Sequence, residues 1–277
     1  MALFNEEVRE EICKIVNDCD ENYSNRLQLD LGDDENSITQ KIAERITAKV
    51  FEYFLSIEEG IKIALYSQKN PIGLEQEAGT DAIVIIYDHD CLIGKVCLFE
   101  AKRDRKEWDK KIPGKNVSRF SSQLGRQKKY HDIGCLVWEQ FYNGSGISSV
   151  RSSEYSTCIL YEDAKQHNAP HPNDTVWTDK DMDQVTTYAK VNKRNFRMGE
   201  LIKKACECTY GDQKTFDEIL QILVDSPDIK DVLLIDRAPK DYRNRLIRVL
   251  TNSQYREYEA LKESQLKASQ ARRKRKP

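Results

Sequence analysis

Gly79-Thr80-Asp81-Ala82-Ile83-Val84-Ile85-Ile86-Tyr87, followed after an interval by Lys95-Val96-Cys97-Leu98-Phe99-Glu100-Ala101-Lys102, is the stretch on which the fold turns. Both apolar runs are of strand length and rich in β-branched or aromatic residues. Asp88-His89-Asp90 and Gly94 punctuate the interval between them. The pattern predicts a hairpin, with Asp81 at the start of one strand across from Glu100 and Lys102 at the end of the other. Residues 100 and 102 are two apart, so on a strand they point to the same face. Two carboxylates and an ammonium then converge on one spot.

Carboxylate oxygens suit Mg²⁺, a hard cation that keeps several waters and takes one or two protein carboxylates. Such a cation polarises a phosphoryl oxygen and acidifies a bound water, and a neighbouring Lys stabilises developing negative charge. Gly79-Thr80-Asp81 with Glu100-Ala101-Lys102 resembles the active-site signature of the PD-(D/E)XK nuclease superfamily, the restriction-endonuclease-like and Holliday-resolvase-like enzymes. The resemblance covers roughly residues 35–165 and departs from the pattern in having no Pro before Asp81. It implies an α/β fold: a mixed central sheet flanked by helices, the restriction-endonuclease-like core. It also implies that Asp81 and Glu100 hold Mg²⁺ or Mn²⁺ and that Lys102 positions water or stabilises the transition state. The alternative reading of the same residues is a surface hairpin with ordinary salt-bridging charges.

From Lys102 to Lys129 the chain carries eleven basic residues against three acids, a local net of +8 in a protein whose total is −2. A local excess of this size is the footprint expected for a phosphate backbone. Residues 116–132 read as a helix in which Val117, Phe120, Leu124 and His131 fall near one stripe. Arg119, Gln123, Arg126, Gln127 and Tyr130 fall on another. The resemblance places Gln123 and Gln127 facing the metal and the scissile phosphate. Arg103, Arg105, Arg119, Arg126 and Lys128 are the expected backbone contacts, and double-stranded DNA is the expected polymer. A solvated polar helix face is the plainer account of any one of these side chains.

The superfamily tends to add a Glu from the helix before the first strand. Ser37 with Gln40 forms a capping box, and Ile38, Ile42, Ile46, Val50, Phe54 and Ile57 trace a core-facing stripe. Glu35, just before that helix, is the candidate third metal ligand, with Glu44 inside it as the other choice. The helix dipole alone accounts for a Glu at a helix N-terminus.

Residues 1–34 hold ten acids against three basic residues and carry an amphipathic helix pattern, so this segment is a poor DNA binder that packs on the core or meets a partner. Residues 35–165 form the expected nuclease core, with strands near 61–66, 135–142 and 157–161. After the turn-rich 167–172, the region 173–266 reads as mainly helical: 180–191, 196–208, 216–225 and a long final helix over 242–267. The basic 267–277 reads as a disordered tail.

At 39% hydrophobic and 32% charged, with no apolar run of the ~18–20 residues that span a bilayer, the chain reads as soluble. The acidic start lacks a signal-peptide pattern, so the expected compartment is the cytoplasm. Eight cysteines without a CxxC pair fit reduced core residues. Cys206, Cys208, His167 and His171 lack zinc-site spacing. No serine of the Ser-rich loop over 144–156 has a His and Asp in evident support, and no Gly-rich phosphate loop is present. The function expected is a Mg²⁺-dependent DNA endonuclease of restriction or anti-phage defence type. An activating protein partner and a homodimer are the partners such an enzyme would call for. The alternative is a non-catalytic nucleic-acid-binding or assembly subunit on the same fold.

Overall fold

The computed structural model describes residues 2–28, 35–57, 65–67, 79–88, 91–103, 107–142, 154–170, 173–224 and 231–236. Among these the helices are α1 (Glu6–Gln28), α2 (Glu35–Ile57), α3 (Arg119–Asp132), α4 (Tyr161–Asn168), α5 (Asp179–Val191), α6 (Met198–Cys206) and α7 (Phe216–Val224). The strands are β1 (Leu65–Ser67), β2 (Ala82–Asp88), β3 (Ile93–Arg103), β4 (Leu136–Tyr142), β5 (Thr157–Leu160), β6 (Asn195–Phe196) and β7 (Asp231–Asp236). They form one mixed sheet in the order β1-β7-β2-β3-β4-β5-β6. The hairpin β2–β3 is antiparallel, whereas β4 lies parallel to β3 and β7 parallel to β2.

Strand side chains alternate between faces, so each run supplies two layers of core. Val84, Ile86, Cys97 and Phe99 face α1, α2 and α6. Ile83, Ile85, Val96 and Leu98 face α3, α5 and α7. Glu100 and Lys102 continue the Val96–Leu98 row and so lie on the α3 side of the sheet. The acidic α1 packs on the core: its Val8, Ile12 and Val16 bury with Leu201 and Ile202 of α6. Gly199 permits the approach, because a Cβ there would stand 2.2 Å from the Cys13 carbonyl oxygen.

The start of α3 is fixed by one carboxylate. Buried Asp109 accepts the Phe120 amide at 3.0 Å, the Ser118 hydroxyl at 2.7 Å and the Trp177 amide at 2.9 Å. Ser118 is the N-cap and accepts from the Ser121 amide at 3.0 Å. Trp108 and Trp177 close on Phe120 edge-to-face, with ring centroids 4.9 and 4.8 Å away. This anchorage sets the rotation of α3 and hence the direction of Gln123 and Gln127.

The structure differs from the sequence reading in several places. Helix α2 begins at Glu35, two residues before the expected cap. Tyr161 opens α4 rather than ending a strand. The region after residue 173 is not only helical: β6 and β7 join the sheet, and β7 lies between β1 and β2. A strand with parallel pairing reads as a continuous apolar run, here Val232-Leu233-Leu234-Ile235, which periodicity alone does not separate from a helix. Residues 61–64 of the first expected strand, the final helix over 242–267 and the basic tail lie outside the described residues. No helix among the described residues is long and apolar enough to cross a membrane.

Candidate active site

The hairpin register sets Ala82 opposite Phe99, and the Asp81 amide donates to the Phe99 carbonyl at 2.9 Å. Asp81 therefore stands across from Glu100. Its Oδ2 accepts the Ala101 amide at 2.9 Å, which holds the carboxylate against the β3 backbone. Glu100 is only 2% exposed and Lys102 only 8%. Lys102 Nζ donates to Glu100 Oε1 and also reaches the Ala101 carbonyl at 3.2 Å. Gln123 Nε2, from α3, donates to the same Oε1.

Burial, and then the negative charge of Asp81, push the Glu100 carboxyl up to about 7. Lys102 and Arg119 pull the other way. The site thus holds one carboxyl poised near neutrality beside two cations.

Gln127 does not reach Glu100. Its amide nitrogen donates to the Gly79 carbonyl at 2.7 Å and ties the segment before Asp81 to α3. Gly79 sits at φ +71°, and a Cβ there would stand 2.6 Å from the Gln123 carbonyl oxygen, so only glycine fits between the helix and the Asp81 turn.

A third carboxylate belongs to this neighbourhood. Glu139 of β4 pairs in register with Glu100 on the adjacent parallel strand and is wholly buried. Burial, then Glu100, hold its carboxyl well above the usual range, with Asp81 adding to the effect and Lys102 opposing it. Neither Glu139 oxygen has a hydrogen-bond partner. Gln127 acts on Glu139 as a hydrogen-bonding side chain and favours its charged form, although its amide nitrogen makes its full bond to the Gly79 carbonyl. Sequence reading passes over Glu139; its one signal is an acid inside the apolar run Leu136-Val137-Trp138-Glu139-Gln140-Phe141.

Beside Gln123 opens a groove of about 370 Å³ lined by Ile112, Pro113, Lys115, Arg119, Ser122 and Arg126. Its lining holds three cations and no acid. Arg119 is exposed at the start of α3. Arg126 is half-buried and donates from Nη1 to Ser122 Oγ at 2.9 Å. Burial lowers its pKa, opposed by Glu100.

The other expected site residues are placed differently. Lys128 is exposed and ion-paired with Asp132 one turn on, away from the groove lining. Arg103 ends β3, half-exposed. Arg105 and the Glu35 side chain lie outside the described residues. Glu44 is exposed and accepts from Gln40 at 3.0 Å.

Among the described residues, no three His, Cys, Asp or Glu side chains are gathered into a ready metal cage. The donor types nevertheless suit a hard cation: Asp81 and Glu100 supply carboxylate oxygens, and Glu139 stands in register with Glu100 on the next strand. The chain was compared with protein-family models and with curated proteins, and neither gave a match.

Proposed function

We propose that this chain is a metal-dependent nuclease on a restriction-endonuclease-like core, cutting phosphodiester bonds in DNA. The observation that carries the reading is the sharing of Glu100 Oε1 by Lys102 and Gln123, with Asp81 across the hairpin and an acid-free groove of three cations alongside.

Each residue then has a task. Lys115, Arg119 and Arg126 neutralise the backbone and lay a phosphate beside Gln123. Lys102 offers its ammonium to the oxygens on which negative charge grows, where burial strengthens the interaction. Gln123 orients Glu100 and presents an amide to the phosphate or the attacking water. Asp81 and Glu100 would hold Mg²⁺ or Mn²⁺, which when bound acidifies water and polarises the phosphoryl oxygen. By the resemblance, water attacks phosphorus, the 3′ oxygen leaves and the product carries a 5′-phosphate. A restriction or anti-phage defence role, in the cytoplasm, follows from the same resemblance.

The test is cleavage of supercoiled plasmid with Mg²⁺ or Mn²⁺, beside EDTA and Lys102→Ala. Nicking or linearisation that needs the metal and disappears in the variant is the expected result. A non-catalytic DNA-binding subunit on the same fold is the second reading, and the acid-free groove of three cations fits it equally well. DNA retention in a gel shift, with no cleavage under any metal, would select it.

A further inference from the structure

We infer that Glu139 is a third carboxylate of the cation site, ligating a divalent ion of the Mg²⁺ or Mn²⁺ class together with Glu100. The inference rests on reading residues 81, 100 and 102 as a cation-dependent site.

The register is the first observation. Glu100 and Glu139 are paired residues on adjacent parallel strands, and alternation puts both side chains on the α3 face. Neighbouring positions on that face are apolar: Leu98 and Val137 on one side, Phe141 next along β4. Lys102, the cation of β3 on that face, is already paired with Glu100.

The second observation is the state of its oxygens. Glu139 is 0% exposed, yet neither oxygen has a hydrogen-bond partner. Buried polar groups are normally satisfied, and a buried carboxylate with no partner is costly. Three things could relieve it. A proton would remove the charge and let the acid donate once, but would bring its oxygens no donor to accept from. Lys102 is engaged by Glu100 and by the Ala101 carbonyl. A divalent cation would satisfy the oxygens and the charge together, and Glu100 is the carboxylate beside it with which to share one. The buried amide oxygens of Gln123 and Gln127 are likewise unpartnered, and the waters of a ligated cation would supply donors to them.

Glu139→Gln tests this directly. The amide matches the protonated acid in shape, so the variant keeps the packing. Mn²⁺ binding is measured by calorimetry and by electron paramagnetic resonance on wild type, Glu139→Gln and Asp81→Asn, with metal-free Tm for each. The expected result is Mn²⁺ affinity at least tenfold weaker in Glu139→Gln, with metal-free Tm equal to or above wild type. Glu139→Asp, which retains the charge, should recover part of the affinity and serves if the Gln variant folds poorly. Wild-type Mn²⁺ affinity in Glu139→Gln would overturn the inference. If Asp81→Asn still weakened Mn²⁺, the nuclease reading would survive that result. Mn²⁺ binding that depends on Glu139, in a protein that cuts no polynucleotide, would keep the inference and remove the nuclease. No Mn²⁺ binding by wild type would overturn the inference outright.

Discussion

Gln123 and Lys102 donate to the same oxygen of Glu100, one from the helix and one from the strand that bears the acid. The two donors differ in kind. Lys102 supplies charge, and Gln123 supplies direction. Replacing Gln123 with Leu, of similar volume, should leave the fold intact and lower the cleavage rate at saturating DNA by roughly 10–100-fold, as loss of a positioning donor does. DNA affinity should change little. Single-turnover cleavage beside a gel-shift titration separates the two effects.

Gly79 is expected to tolerate no side chain. At φ +71°, with the Gln123 carbonyl 2.6 Å from a Cβ position, Gly79→Ala combines backbone strain with a clash against helix backbone. The expected loss is roughly 2 kcal/mol or more, a fall in Tm of about 5 °C or more. Cleavage should fall further than stability accounts for, because the displaced segment carries Asp81. Thermal melts and cleavage at a temperature well below Tm check this.

The groove cations should be told apart from their neighbour by salt. Arg119→Ala and Arg126→Ala should each weaken DNA binding across sequences and flatten the log–log salt dependence by about 1 in slope. Lys128→Ala should leave the slope unchanged, since Lys128 is spent on Asp132. Binding isotherms at several salt concentrations decide it.

Asp20 predicts a pH dependence on the opposite face of the sheet. Its Oδ2 accepts the Ser156 amide at 3.0 Å, Oδ1 has no partner, and burial pushes the carboxyl up from 3.8 to about 6. The folded state therefore holds this proton more tightly than the unfolded chain. The stabilisation is complete below about pH 4 and lost as pH rises to about 6. Asp20→Asn keeps an acceptor for Ser156 and has no proton to lose. Its Tm should match wild type near pH 4, rise above it between pH 4 and 6, and stay above it to pH 8. The gap corresponds to about 3 kcal/mol.

The hairpin and its charged trio were legible because period-two alternation and turn residues are local signals. Asp81, Glu100 and Lys102 needed only the register of one hairpin to meet. Gln123 was legible as a polar position on an amphipathic helix, and its contact with Glu100 agrees with that reading. Gln127 was read the same way, and it lies between Gly79, to which it donates, and Glu139, two partners that the 116–132 pattern does not show. Lys128 counted toward the basic excess, but the Asp132 one turn later neutralises it. Glu139 was passed over because its meaning depends on which strand lies beside β3, a long-range fact. The same holds for β7: nothing local in residues 231–236 says that they pair with β2.

The place of β7 also sets a timetable. Until Asp231–Asp236 arrives, β2 lacks its parallel neighbour, and the strand that follows Asp81 is an unprotected sheet edge. On the ribosome, residues 79–160 could form their hairpin and β4 but could not close the sheet around them until residue 236 had cleared the exit tunnel.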